Sequence, residues 1–141
     1  MQQDQTETVA SVIPGEHARQ LLEQICDWGP MTTIIIHGGS VFEFSGSFPK
    51  GGVAEGFYNL QADDQGFHGH LNLQKVALIR FQTKPHRGRE SYAFVFEDAQ
   101  NEVIFKVFLG RDKQGELIAS QRERFYQLMQ QYQQSGHSDE K

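Results

Sequence analysis

The sequence predicts an α+β fold, with one helix, about seven antiparallel strands and a second helix. Three observations carry this. Apolar residues recur at three- and four-residue steps from Ala18 to Trp28, and short runs of β-branched and aromatic residues follow between Thr32 and Leu109. After Gly115 the helical period returns. Strands in unbroken succession with helices only at the ends imply a large antiparallel meander sheet flanked by N- and C-terminal helices. They argue against a nucleotide-binding α/β fold with alternating crossovers.

The chain has 141 residues, the size of one ordinary domain, and such a domain buries roughly two-thirds of the surface its unfolded form exposes. We place that single domain at residues 13–134, with polar, flexible tails at 1–12 and 135–141. Eleven Phe, four Tyr and one Trp supply large apolar surfaces for a core or a flat-ligand cleft. A net charge of −5 with scattered Lys and Arg argues against a general nucleic-acid binder. The single cysteine, Cys26, excludes an internal disulfide and any multi-thiolate zinc or iron–sulfur site, and its helical setting suggests a buried structural thiol. Signal-peptide, lipidation and membrane-span patterns are missing from the sequence, so the expectation is a soluble cytoplasmic protein.

Ile13-Pro14-Gly15 reads as a breaker. After it, Ala18, Leu21, Leu22, Ile25 and Trp28 form one apolar stripe on a helix, which Gly29-Pro30 ends. The β-branched run Thr32–Ile36 predicts a strand; His37 closes it, Gly38-Gly39-Ser40 turns, and Val41–Phe44 returns as a hairpin partner. Residues 45–52 read as a loop and Gly56–Leu60 as a strand. Gly66–Leu73 alternates strictly, with Phe67, Gly69, Leu71 and Leu73 opposed to His68, His70 and Asn72. Val76–Gln82 is the next strand, and residues 83–90 form a basic loop carrying His86, Arg87 and Arg89. Ser91–Phe96 and Val103–Leu109 pair through the turn at residues 98–101. Finally Ile118, Phe125, Leu128, Met129 and Tyr132 make a second helical stripe, with Glu, Arg and Gln opposite.

Sequence signatures of nucleotide hydrolysis, serine hydrolysis and zinc proteolysis are missing, and the paired glycines are explained as turns. The chemistry therefore falls to the imidazoles. His68 and His70 leave the same side of one strand, two residues apart, roughly 6–7 Å along it. Solvent-facing histidines on a half-exposed strand are the plain alternative. A closed zinc or copper site would need one or two further ligands that no pattern signals. Haem needs only one or two axial ligands and a large apolar surround. Two trans ligands sit about 4 Å apart on opposite faces of the porphyrin, each roughly 2 Å from the metal, so His68 and His70 cannot both serve. The expectation is that His70 binds the iron. A second ligand would come from another strand or another subunit, and His37, followed by glycines that admit a ligand, is the candidate. Its alternative is a solvated residue opening a turn. Arg80 alternates with apolar neighbours, so it is held near a site or paired with an acid. The loop cations could meet carboxylates such as porphyrin propionates, or simply stay solvated. His17 and His137 read as solvated.

The ordered pieces Trp28-Gly29-Pro30-Met31-Thr32-Thr33-Ile34, Phe44-Ser45-Gly46 with Pro49, and Gly56-Phe57-Tyr58-Asn59-Leu60 resemble the cytosolic haem-utilisation carrier family of HutX/ChuX type. So do Gly69-His70-Leu71, Val76-Ala77-Leu78-Ile79, Phe105-Lys106-Val107-Phe108-Leu109-Gly110-Arg111-Asp112 and the C-terminal helix with Phe125. The resemblance runs from about residue 13 to 132. It implies a half-repeat of the haem-trafficking (HemS/ChuS-like) fold forming a homodimer, with haem as non-covalent b-type cargo. It also implies delivery to a haem-degrading enzyme without catalysis by the carrier. The family's Gly-His-apolar histidine corresponds to His70. A second histidine of some members falls at Ile36, one place before His37, and one residue of slip turns a side chain to the other face. From the same resemblance, the expectation is that a longer N-terminal segment of some relatives has no counterpart here. The rival functions are a haem-degrading oxygenase or reductase, and a dimeric domain that binds no cofactor.

Overall fold

A computed structural model describes residues 11–61, 66–85 and 87–139 of the chain. The expected arm before residue 11 and His86 lie outside the described residues, as does the side chain of His137. The expected α+β class with a large antiparallel sheet and two flanking helices is what the chain forms.

The element order is β1 (Val12–Pro14), a 3-10 turn (Gly15–His17), α1 (Ala18–Ile25), β2 (Pro30–His37), β3 (Ser40–Ser47), β4 (Gly51–Ala54) and β5 (Phe57–Leu60). It continues with β6 (Gly69–Leu71), a 3-10 turn (Leu73–Lys75), β7 (Leu78–Thr83), β8 (Tyr92–Glu97), β9 (Val103–Leu109) and α2 (Ala119–Asp139). Six strands form one sheet in the order β1-β7-β8-β9-β2-β3, and β4-β5-β6 form a second, smaller one. The meander is therefore interrupted, because the β2–β3 hairpin joins the β9 edge of the β7-β8-β9 run.

Several elements depart from the pattern reading. Ile13-Pro14-Gly15 is not merely a breaker. Val12–Pro14 pairs with Leu78–Arg80 as an edge strand, where proline's missing N–H is tolerated. A Cβ at Gly15 would sit 1.9 Å from the Val76 carbonyl oxygen, so this glycine permits the close crossing. Residues 45–52 are not a loop throughout, since β3 runs on to Ser47 against Pro30 and Phe48 is buried in the core. The alternating run Gly66–Leu73 becomes a strand only at Gly69–Leu71. Its partner β5 is four residues long, and Asn72 then starts a 3-10 turn by accepting the Gln74 N–H at 3.2 Å. The helical backbone of α2 continues past Ser135 to Asp139.

The core fills the space between one face of the larger sheet and the two helices. Ile79, Phe81, Phe94, Phe96, Phe105 and Val107 point into it, and Leu22, Ile25, Trp28 and Phe125 meet them. Gln121, on the supposedly polar face of α2, is fully buried. Its Nε2 donates to the carbonyls of Trp28 and Pro30 at 2.9 Å each, and its Oε1 accepts the Gly110 N–H at 2.7 Å. A Cβ at Gly110 would lie 2.0 Å from the Pro30 carbonyl oxygen, so this junction closes only over glycine.

The opposite face of the larger sheet carries Arg80, Gln82, Lys106, Phe108, Ile34 and Ile36. On the middle strand, Ala93 and Val95 are buried there between longer cross-strand neighbours. Arg80 clamps Glu97 with two bonds, Nε to Oε2 at 3.0 Å and a terminal nitrogen to Oε1 at 2.9 Å.

Candidate functional site

The three-stranded sheet positions His70. Alternation along β5 sends Tyr58 and Leu60 into the core and leaves Phe57 and Asn59 on the other face. The β5–β6 register sets Asn59 directly opposite His70, so the two share that outward face. Nδ1 of His70 lies 2.6 Å from Oδ1 of Asn59, and the Phe57 ring stands edge-on to the imidazole at 6.3 Å. Nε2 has no hydrogen-bond partner among the described residues. Phe67, two residues before β6, reaches the larger sheet: it stacks on Phe44 of β3 at 4.7 Å and meets Phe48 edge-on.

His70 lines a cleft of about 670 Å³ whose apolar walls are Leu71, Val76, Ala77, Ile104 and Phe105. That volume is typical of small-molecule sites, which lie between about 300 and 1,000 Å³. Lys75 and Gln74 stand in the same cleft, and Asp98, Ala99 and Gln100 close it from the β8–β9 hairpin. The hairpin is shaped by Asp98, whose Oδ1 accepts the N–H groups of Gln100 and Glu102 at 2.9 Å each.

Of the three residues singled out beforehand, only His70 lines this cleft. His37 ends β2 opposite Ser40 and is exposed. The β2–β9 register matches Thr33 with Val107, so alternation puts Ile35 and His37 on the same sheet face as Phe105, with Ile36 on the other. Arg80 lies on that other face with its guanidinium held by the buried Glu97 carboxylate, and this bond is the chief cause of its raised pKa. His68 precedes β6 and is exposed, outside any strand. Of the loop cations, Arg89 donates to the Gly115 carbonyl, and the loop's Glu90 pairs with Arg122 of α2 at 3.1 Å. His17 is not simply solvated, because its Nδ1 lies 3.0 Å from the Tyr132 hydroxyl of α2. The Cys26 thiol is half-buried, and burial, with Asp27 beside it, raises its pKa and disfavours the thiolate.

Pattern reasoning missed Asn59, Lys75, Ile104 and Phe105. The usable signal for Asn59 was an amide inside a strand, where asparagine is depleted. Together the residues make an imidazole whose Nε2 has no partner among the described residues, beside an apolar wall with one ammonium in the same cleft. Such a set can hold a flat, largely apolar metal complex that carries carboxylates.

Residues 11–128 match the family described as haem utilisation ChuX/HutX. The chain is 46% identical over 128 residues to the intracellular heme transport protein HutX of Vibrio cholerae serotype O1. That match covers 91% of this chain and spans 66% of the relative's length. Among solved structures, a protein from Erwinia carotovora superposes with a TM-score of 0.83 at 28% identity, covering 89% of this chain and 78% of that one. The heme-binding protein ChuX superposes with a TM-score of 0.79 at 27% identity, covering 86% and 76%.

Proposed function

This chain belongs to the haem utilisation ChuX/HutX family, and on that footing we propose that it is an intracellular, non-enzymatic carrier of haem. The observation that carries the reading is His70: an imidazole whose Nε2 has no partner among the described residues, at an apolar cleft of haem-compatible size. His70 is the axial ligand in this proposal. Leu71, Val76, Ile104 and Phe105 pack the porphyrin, and Lys75 meets a propionate. His37 is the weaker second ligand, supported by its place on the same sheet face as Phe105. Arg80 is left out of the cargo contacts in this reading, since it lies across the sheet from Phe105 with its guanidinium closed on Glu97. A carrier must hold haem in solution and still let it go, and one firm ligand in an open cleft suits both. The acceptor in this reading is a haem-degrading enzyme.

Titration of the purified protein with hemin tests the reading. The expected result is a saturable Soret shift that His70→Ala weakens at least tenfold, with a smaller loss for His37→Ala. Equal, negligible losses in both variants would sink the site. Adding a reductant separates the enzyme rival, because a turning-over oxygenase destroys the Soret band and releases a bile-pigment-like product.

The carrier is further proposed to be a homodimer acting in the cytoplasm. The face of the larger sheet that carries Phe108 and Ile34 leaves Ile36 and Val41 each 57% exposed, the kind of apolar surface a second copy would cover. Sedimentation equilibrium showing only a 16.1 kDa species would remove the dimer. No helix among the described residues is long and apolar enough to cross a membrane.

A further inference from the structure

We propose that Asn59 is a positioning residue for haem. It fixes the tautomer of His70 so that the lone pair of Nε2, and not that of Nδ1, is offered to the iron. This rests on the reading of His70 as the ligand and adds the group that presents it.

The argument begins with the amide of Asn59. An amide's oxygen and nitrogen are told apart by what surrounds them. Here Nδ2 is ringed by acceptors only: the carbonyl oxygens of Ala54 at 3.1 Å, Phe57 at 3.3 Å and Gly52 at 3.4 Å. Turning the amide over would point Oδ1 at three carbonyl oxygens and leave it without a donor there. The orientation is therefore set by β4 and β5, and Oδ1 must face β6.

His70 stands directly opposite on β6, with Nδ1 2.6 Å from that oxygen. An amide oxygen can only accept, so Nδ1 must carry the hydrogen. A neutral imidazole holds one N–H, which leaves Nε2 as the bare nitrogen. The Phe57 ring stands edge-on beside the imidazole, with ring centroids 6.3 Å apart. Metal-binding histidines are commonly held in this way by an acceptor on the ring nitrogen away from the metal, which also raises the basicity of the ligating nitrogen. Here the acceptor belongs to a strand whose other face, Tyr58 and Leu60, is locked in the core. The ring's orientation is thus tied to the rigid part of the molecule although the ring itself is exposed.

Two variants separate this role from a merely structural one. Asn59→Leu removes both the acceptor and the amide that ties β5 to β4. Asn59→Asp keeps an oxygen beside Nδ1, but replaces the donor with a second oxygen that faces the Ala54, Phe57 and Gly52 carbonyls. In the haem-free protein, nitrogen NMR of the neutral His70 ring should show the Nδ1–H tautomer in the wild type and in Asn59→Asp. In Asn59→Leu it should show a mixture. In the hemin-loaded protein Asn59→Leu should bind roughly 10- to 100-fold more weakly, the usual loss when such a partner is removed. Asn59→Asp should stay close to wild type, and its reduced form should show a higher iron–histidine stretching frequency. A wild-type ring that carries its proton on Nε2, or equal losses in both variants, would overturn the proposal. His70→Ala is run alongside. If it binds hemin as the wild type does, the ligand assignment itself is wrong, whereas a His70→Ala loss with silent Asn59 variants condemns only the positioning role.

Discussion

The two sheets of this molecule treat their polar groups in opposite ways. In the six-stranded sheet every residue of β8 from Tyr92 to Glu97 is buried, and two polar side chains buried against it are held by several bonds each. Gln121 makes three bonds and Glu97 takes a two-pronged guanidinium. In the three-stranded sheet the strands run only three or four residues, Val53 and Phe57 are exposed, and Nε2 of His70 is left without a partner among the described residues. An unmatched polar atom is expensive in a dry core but cheap at a wet cleft. The unpartnered nitrogen therefore stands where it can await a ligand, while the larger sheet supplies the stability that holds the cleft in shape.

If the two duties are separate, damage to the core should lower stability and leave the ligand's contacts alone. Gln121→Leu is the strongest test. It strips partners from the Trp28 and Pro30 carbonyls and the Gly110 N–H at once, at a buried junction that glycine has already made tight. The expected loss is roughly 2–4 kcal/mol, read from urea unfolding, with hemin affinity of the folded protein within about twofold of wild type. A variant of normal stability that no longer binds hemin would join the two regions and break the comparison.

Legibility in the sequence followed the same division. The apolar stripe of α1, the Gly38-Gly39 hairpin and the strands β7 to β9 follow from periodicity, because each buries a regular set of side chains. Gln121 escaped because polar residues on helices are read as solvent-facing, and only the Trp28–Pro30 and Gly110 backbones, far off in sequence, give it a reason to be buried. β1 and β4 escaped because each is too short to show a period, and each exists only through its partner. The alternation around His70 suggested a longer strand than the three residues Gly69–Leu71 that form, because β5 offers only a short partner. Asn59 could not be paired with His70, since register between β5 and β6 is a tertiary fact.

A graded test of the core comes from pH. Burial, then hydrogen bonds with Tyr126 and Glu90, push the Tyr92 hydroxyl far above the ordinary phenol value. Burial also raises Tyr132 and Tyr58, whose hydroxyl has no partner among the described residues. In each case the folded state favours the neutral phenol. That contribution is complete below about pH 10, where unfolded tyrosine titrates, and is lost as pH climbs toward the folded value. The unfolding midpoint in urea should therefore fall steadily above about pH 10. Phenolate absorbance should appear in the folded protein later than in free tyrosine. Tyr92→Phe removes the hydroxyl and should flatten part of that fall; an unchanged slope would mean that Tyr92 is wetter than its burial indicates.

The smallest expected effect is the one that defines the other region. His70 is exposed, and what it touches is one amide oxygen and the edge of one ring. In His70→Ala water can take the place of the imidazole at Asn59 Oδ1, while the Nδ2 bonds to Ala54, Phe57 and Gly52 remain. Stability should therefore stay within about 0.5 kcal/mol of wild type, as for other exposed positions. Paired with a tenfold loss of hemin affinity, that silence would show a side chain kept for its cargo. A destabilisation above about 1 kcal/mol would instead mean that the imidazole helps hold β6 to β5, and the loss of haem would then have to be read as loss of the sheet.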